Sequence, residues 1–366
     1  MQVVVITGAS AGVGRATARR FAREGASIGL IARDEARLER AAEEVAQLGG
    51  RALVLPLDVA DAEAVEAAAE RVEAELGPID TWINCAMLTV FAPVHEMTPD
   101  EVRRVTEVTY LGYVNGTMAA LKRMRARDRG TIVQAGSALA YRSIPLQAAY
   151  CGAKHAIVGF TDALRSELIH DSSKVEVTMV HLPALNTPQF DWARNKTPMR
   201  PQPVPPIFQP EVAAEALHFA ARHPRRELWV GRSSVMAILA QRLVPGLLDR
   251  YLAHSAYKGQ QDDEPALPGP DNLFAPVKGD FAAHGRFDDR AAAVSPQLWA
   301  AEHRRTLLGA GLVLALAGLG WWAGRQLLEA AAPPPPRRRR WLERTGLAEA
   351  RLPRLELPRP RLPGRS

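Results

Sequence analysis

The chain has 366 residues, 47% of them hydrophobic, enough for one large domain with a real core plus appendages. Its formal charge of +6 is concentrated at one end: residues 333–366 hold ten Arg against three Glu, while the other 36 basic and 37 acidic residues nearly cancel, so the body offers no nucleic-acid-binding surface. Two cysteines, Cys85 and Cys151, make no disulfide framework and suggest a reducing compartment; the opening MQVVVITG carries no basic leader, so secretion is not expected.

Val3–Thr7 is a β-branched run of the kind that forms a buried parallel strand. It breaks at Gly8 in GASAGVG and leads into a helical pattern over Ala16–Arg23. Glycines 8, 12 and 14 between a strand and a helix permit a tight turn and close backbone approach to a pyrophosphate, which the helix N-terminus stabilises. The plainer reading is an ordinary glycine-rich turn. The second strand, Ser27–Ile31, ends in Ala32-Arg33. A carboxylate there would hold a free ribose 2′-hydroxyl, whereas an Arg suits a 2′-phosphate, which favours NADP(H) over NAD(H). Arg15 is a candidate helper; the alternative is that both arginines are solvated surface charges.

A helix over Ala36–Leu48 and a strand over Ala52–Pro56 lead to Asp58-Val59. Asp58 either meets the adenine ring or caps the helix starting near Asp61. Strands over Ile79–Asn84, Thr131–Gly136, Val175–Leu182 and Glu227–Val230, with a helix over Pro99–Met124, complete an α/β pattern: a doubly wound parallel sheet.

The strand at Thr131–Gly136 delivers Ser137, followed by Tyr150 and, four residues on, Lys154. One helical turn apart, Tyr150 and Lys154 share a face. A Tyr hydroxyl titrates near ~10, too high for neutral acid–base work, and a nearby ammonium favours the phenolate. A Ser hydroxyl from the strand end then holds a substrate oxygen against the Tyr. Cys151 beside it reads as packing, and the nine His show no metal-ligating spacing, so no metal is expected.

Residues 186–210 hold six prolines from Pro198 to Pro210 and read as a substrate-covering loop. Its Phe190, Trp192, Met199, Ile207 and Phe208 suggest a lipophilic substrate, or else pack against an amphipathic stretch over Val235–Leu252. The core is expected to span 1–257 and a polar irregular arm 258–300. A membrane helix is expected over 301–328, within which Leu307–Gly324 is uncharged and ~27 Å long as a helix. Arg304, Arg305 and Arg325 flank it, and Trp321-Trp322 suits an interface; the alternative is a buried soluble helix, since five glycines weaken the apolar run. The Pro/Arg-rich tail, 329–366, reads as disordered and suited to anionic lipid headgroups.

TGASAGVG at 7–14, Asp58-Val59, Asn84, Ser137 and Tyr150-x-x-x-Lys154 together resemble the short-chain dehydrogenase/reductase family over roughly residues 1–250. The resemblance implies a Rossmann fold and hydride transfer between a nicotinamide cofactor and a carbonyl or alcohol carbon. It assigns Tyr150 as general acid or base, Lys154 as its partner and ribose ligand, and Ser137 as the group that orients the substrate oxygen. It also places Gly8, Ser10, Gly12, Val13, Gly14, Arg33, Asp58, Val59, Asn84 and Thr187 at the cofactor. A homodimer or homotetramer through 100–125 and 150–168 follows from it. Three positions depart from the family pattern. Cys85-Ala86 follows Asn84 where Ala-Gly is usual, Pro183-Ala184 replaces Pro-Gly, and Thr109 stands where a catalytic Asn supports a water in the proton relay. Asn115 lies too far around the helix to substitute.

The expected function is an NADP(H)-dependent oxidoreductase acting on a small lipophilic carbonyl or alcohol. It would be membrane-associated through the C-terminal helix and basic tail, with its catalytic domain in the cytoplasm. The alternative is a non-catalytic, membrane-tethered NADP(H) sensor.

Overall fold

The computed structural model describes residues 1–279 and 281–331. The expectation of a disordered tail falls, beyond its first three residues, on 332–366, outside the described residues. Two compact units divide the chain at Arg304.

The first unit is built on a seven-stranded parallel sheet. Its strands are β1 (Val3–Thr7), β2 (Ser27–Ala32), β3 (Arg51–Pro56), β4 (Thr81–Asn84), β5 (Gly130–Ser137), β6 (Val175–Leu182) and β7 (Glu227–Trp229), in the order β7-β6-β5-β4-β1-β2-β3. All five β1 residues are buried because both faces are covered. Val4 and Ile6 enter one apolar core and Val3 and Val5 the other, as the two-residue period of a strand requires. The order reverses between β1 and β4, so the crevice at their C-terminal ends is where a doubly wound sheet binds ligands.

The helices begin where capping chemistry puts them. The Asp34 carboxylate accepts from the Arg37 amide to start the helix Glu35–Gln47, and Asp61 accepts from Ala64 to start Ala62–Glu75. Asp61, rather than Asp58, is therefore the cap. Thr98 and Glu101 close a capping box ahead of Pro99. The helix expected over Pro99–Met124 is interrupted: Pro99–Thr106 and Gly112–Arg127 flank a π turn at Glu107–Leu111. Gly112 lets that turn approach closely, since a Cβ there would lie 2.6 Å from Val59 Cγ2. The amphipathic stretch over Val235–Leu252 falls on two helices, Arg232–Leu243 and Pro245–Gly259, because Pro245 supplies no amide to continue the first.

Residues 258–300, expected to be an irregular arm outside the core, are built into the first unit. Gln261–Pro265 pairs antiparallel with Met199–Pro201, and Ala291–Ala292 parallel with Ile207–Phe208. Leu273, Ala283, Phe287 and Leu298 are buried. In the second unit, Thr306–Ala331 is long and apolar enough to cross a membrane by length and composition, and its apolar window is not buried against protein.

Candidate active site

One cavity of about 880 Å³ at the C-terminal ends of the strands brings together Ser137, Tyr150, Lys154, the glycine loop, Arg33, Asp58, Val59 and Thr187. Ser137 ends β5, where its hydroxyl accepts from the Leu139 amide. Its carbonyl oxygen takes a hydrogen bond from buried His181 at 3.1 Å. Behind His181, Glu227 accepts from the Tyr141 hydroxyl and the Trp229 indole, both at 2.7 Å. This backing fixes the strand end that presents Ser137. Burial pushes the His181 imidazole pKa down, with the Glu227 carboxylate opposing.

Tyr150 and Lys154 lie on the helix Ala148–His170. The Lys154 ammonium is buried and donates to the Ala135 carbonyl at 2.7 Å and the Tyr113 hydroxyl at 2.9 Å. Tyr113, on Gly112–Arg127, donates in turn to Ala135 at 2.9 Å. Burial brings the Lys154 pKa down from 10.5 to about 7, with Cys85 opposing. Burial also pushes the Tyr150 hydroxyl up, against a hydrogen bond from Ser137 that favours the phenolate. Burial therefore outweighs the pull expected from Lys154, whose Nζ lies 5.6 Å from the Tyr150 ring centre and faces Tyr113.

Two expected residues lie elsewhere. Thr109, in the π turn, is fully buried and pairs with the Leu88 backbone, donating to its carbonyl at 3.0 Å and accepting from its amide at 2.9 Å. It staples the turn and does not line the cavity; Tyr113, one turn later, is the residue that reaches Lys154. Asn84 spends its amide inside the fold, accepting from Trp82 and donating to Thr117, Gln134 and the Tyr113 carbonyl. It ties β4 to β5 and the helix behind them. Arg15, the candidate helper, directs its guanidinium to protein groups, bridging to Glu44 at 2.9 and 3.0 Å and donating to the Phe281 carbonyl at 3.2 Å.

The glycine loop is as tight as its composition requires. Gly8 has φ +70° and a Cβ on it would stand 2.9 Å from Ala86 Cα; one on Gly14 would stand 2.2 Å from the Gly8 carbonyl oxygen. The amides of Cys85 and Ala86 both donate to the Thr7 hydroxyl, which accommodates this departure from the usual residues. At the end of β2, Arg33 and Arg37 line the cavity beside Asp34 and Asp58. Asp58 pairs with Arg104. Burial, together with the like charges of Arg104 and Arg37, lowers the Arg33 pKa, with Asp58 opposing. Arg37, which sequence reasoning passed over as part of an amphipathic helix, is 5% exposed, and its Nε has no hydrogen-bond partner. Of the five apolar loop residues, only Phe190 and Trp192 line the cavity; Ile207 and Phe208 are buried in strand pairing.

A nucleotide-binding crevice at the reversal of a parallel sheet, with a Ser, a Tyr and a Lys converging in it, defines an α/β oxidoreductase of the Rossmann type. The chain belongs to the short chain dehydrogenase family, whose profile matches residues 2–197. It is 32% identical over 324 residues to the uncharacterized oxidoreductase YxnA of Bacillus subtilis, covering 88% of this chain and 90% of that one. It is 38% identical over 208 residues to the probable oxidoreductase EphD of Mycobacterium tuberculosis, covering 53% of this chain and 35% of that one. Among solved structures, an alcohol dehydrogenase from the archaeon Thermococcus sibiricus complexed with 5-hydroxy-NADP matches with TM-score 0.54 and 29% identity, over 63% of this chain and 96% of that one. A 3-oxoacyl-[acyl-carrier protein] reductase from Brucella melitensis matches with TM-score 0.54 and 30% identity, over 63% and 89%. Membership of this family makes the chain an oxidoreductase of alcohol or carbonyl groups.

Proposed function

We propose that the chain interconverts a carbonyl and an alcohol on a lipophilic small molecule with NADP(H) as cofactor and Ser137, Tyr150 and Lys154 as the catalytic group. The observation that carries this reading is the convergence of those three residues with Arg33 and Arg37 in one cavity. The residues suit a 2′-phosphorylated dinucleotide. Arg37 pairs with Asp34 at 3.0 Å, but its buried Nε has no hydrogen-bond partner; Arg33 is half-buried beside it, so an added anion suits both, and the glycine turn leaves space that a side chain would fill.

When bound, the nicotinamide supplies or accepts the hydride. Tyr150, held protonated by burial, gives its proton to the carbonyl oxygen in reduction, and Ser137 holds that oxygen in place. Lys154, poised near neutrality, favours the phenolate that results, while Tyr113 and Ala135 hold its ammonium.

A lipophilic substrate is supported by the far end of the cavity, where Met236, Ala240, Leu248 and Tyr251 contribute to the lining. Met236 and Tyr251 are also 56% and 65% exposed, and Leu243 and Leu247 on the same two helices are exposed too, so these helices offer apolar surface as well as cavity lining. Together with Thr306–Ala331, that surface supports membrane association, with the cytoplasmic placement of the catalytic unit part of the same proposal. A homodimer or homotetramer through Pro99–Arg127 and Ala148–His170 also belongs to it. The non-catalytic sensor draws no support from a cavity that keeps Ser137, Tyr150 and Lys154 together.

The test is NADPH and NADH binding to the purified full chain, followed by turnover of ketones of rising hydrophobicity. Preferential NADPH binding with turnover abolished in Tyr150→Phe is expected; tight binding without turnover of any carbonyl or alcohol overturns the enzymatic reading.

A further inference from the structure

The described residues of the stretch, 271–279 and 281–288, meet the trough that the family resemblance assigns to the dinucleotide at its adenosine end, at the glycine loop and beside Thr187. At the adenosine end, Arg33 donates to the carbonyls of Asn272 at 2.5 Å and Leu273 at 3.4 Å, and Arg104 donates to Leu273 at 3.1 Å. At the glycine loop, the Gly12 amide donates to the Ala282 carbonyl at 3.1 Å and Arg15 to that of Phe281 at 3.2 Å. Beside Thr187, the Phe287 amide donates to the Asn186 side chain at 3.0 Å. A Cβ on Gly285 would lie 2.5 Å from the Thr187 carbonyl oxygen.

The stretch is seated by packing as well. Leu273, Ala283 and Phe287 are fully buried. Phe281 packs edge-on to Trp192, their ring centres 4.7 Å apart, with the Arg37 guanidinium over both rings. Arg286 reaches Asp191 at 2.6 Å, the Phe190 carbonyl at 3.2 Å and the Pro201 carbonyl at 2.8 Å. Asn272 and Pro276 line the same cavity as Gly12, Val13 and Arg33, so space remains beneath the strap and it does not plug the trough.

We propose that residues 271–279 and 281–288 form the outer wall of the nicotinamide-dinucleotide site, so that the nucleotide enters and leaves only when this strap lifts. The inference rests on the cofactor reading above. It makes the dinucleotide a slowly exchanging occupant, held across successive turnovers, and couples its exchange to the loop bearing Phe190 and Trp192. Because lifting precedes both entry and exit, loosening the strap raises both rate constants together and leaves the equilibrium affinity nearly unchanged.

The experiment uses the purified full chain in detergent, with NADPH fluorescence followed by stopped flow for association and by chase with excess NADP⁺ for release. Phe287→Ala removes the buried anchor, and Arg286→Ala, a milder change, carries the same measurement where Phe287→Ala does not fold. Neither residue lines the cavity. Association and release are each expected to accelerate about 10-fold or more, equivalent to ~1.4 kcal/mol of weakened closure, with Kd changed far less. Release that is fast in the parent chain and unchanged in a folded variant overturns the strap while leaving the cofactor reading intact. Faster release without faster association overturns it too, since that marks a direct contact rather than a gate. Absence of any dinucleotide binding overturns the cofactor reading and the strap together.

Discussion

The Lys154 ammonium and the Tyr113 hydroxyl meet at 2.9 Å, and both bond to the Ala135 carbonyl. Tyr113→Phe keeps the ring and removes one acceptor from a buried ammonium. A hydrogen bond to a charged group contributes ~1.5–3 kcal/mol, so turnover should fall about 10- to 100-fold. The alkaline or acidic limb of the pH–rate profile should also move, which a purely structural role for Tyr113 would not produce. An unmoved profile overturns the assignment.

Thr109→Ala tests the other side of that comparison. Its hydroxyl serves the Leu88 amide and carbonyl, so the variant strands two buried backbone groups. A stability loss of ~1–3 kcal/mol is expected in denaturant unfolding, with the pH profile of the remaining activity unchanged.

Lys154 also gives stability a pH dependence. Its pKa is 10.5 in the unfolded chain and about 7 in the fold. Below about pH 7 both states hold the proton and the full cost of burying the ammonium is present. Between about 7 and 10.5 the unfolded state binds more protons, so this contribution makes stability rise with pH. Lys154→Met should flatten that rise in urea titrations by about one proton's worth of slope.

Glu44 contributes in the opposite range. Burial would raise its pKa, but hydrogen bonds from Arg19 and Arg15 outweigh burial and bring it from 4.5 to about 2. Its contribution is present above about pH 4.5 and lost as pH falls towards 2. Glu44→Gln should lower Tm at pH 7 and remove that part of the acid sensitivity.

Arg37→Ala should weaken NADPH more than NADH, by about 10-fold or more, the size of one lost charge-assisted hydrogen bond. Equal weakening of both nucleotides, read by fluorescence titration, would assign Arg37 to packing against Trp192 and Phe281.

Much of this architecture is visible in the amino-acid pattern. Val3–Thr7 and its neighbours are apolar on both faces, and Gly8, Gly12 and Gly14 mark a turn no other residue fits. Tyr150 and Lys154 are one turn apart on one helix, so their proximity follows from spacing alone. The Tyr113–Lys154 bond does not, because it joins two helices whose relation only the tertiary fold sets. The strap was illegible for another reason. Its bonds to the sheet end run through the backbone carbonyls of Asn272, Leu273, Phe281 and Ala282, which leave no side-chain signature, and its anchors Phe287 and Arg286 find their partners only in the tertiary fold.

Arg33 reaches Asn272 across 239 positions of sequence, and Arg15 reaches Phe281 across 266. Contacts so distant carry a large loop-closure cost and form late, and a chain made from its N-terminus acquires them only after the sheet has been synthesised. During biogenesis the trough therefore stands open towards solvent until some 290 residues have emerged. If the strap is the roof of the dinucleotide site as proposed, a nucleotide that settles on the nascent sheet before that roof exists is enclosed by it, and cellular nucleotide supply at the time of translation then sets what the finished protein carries.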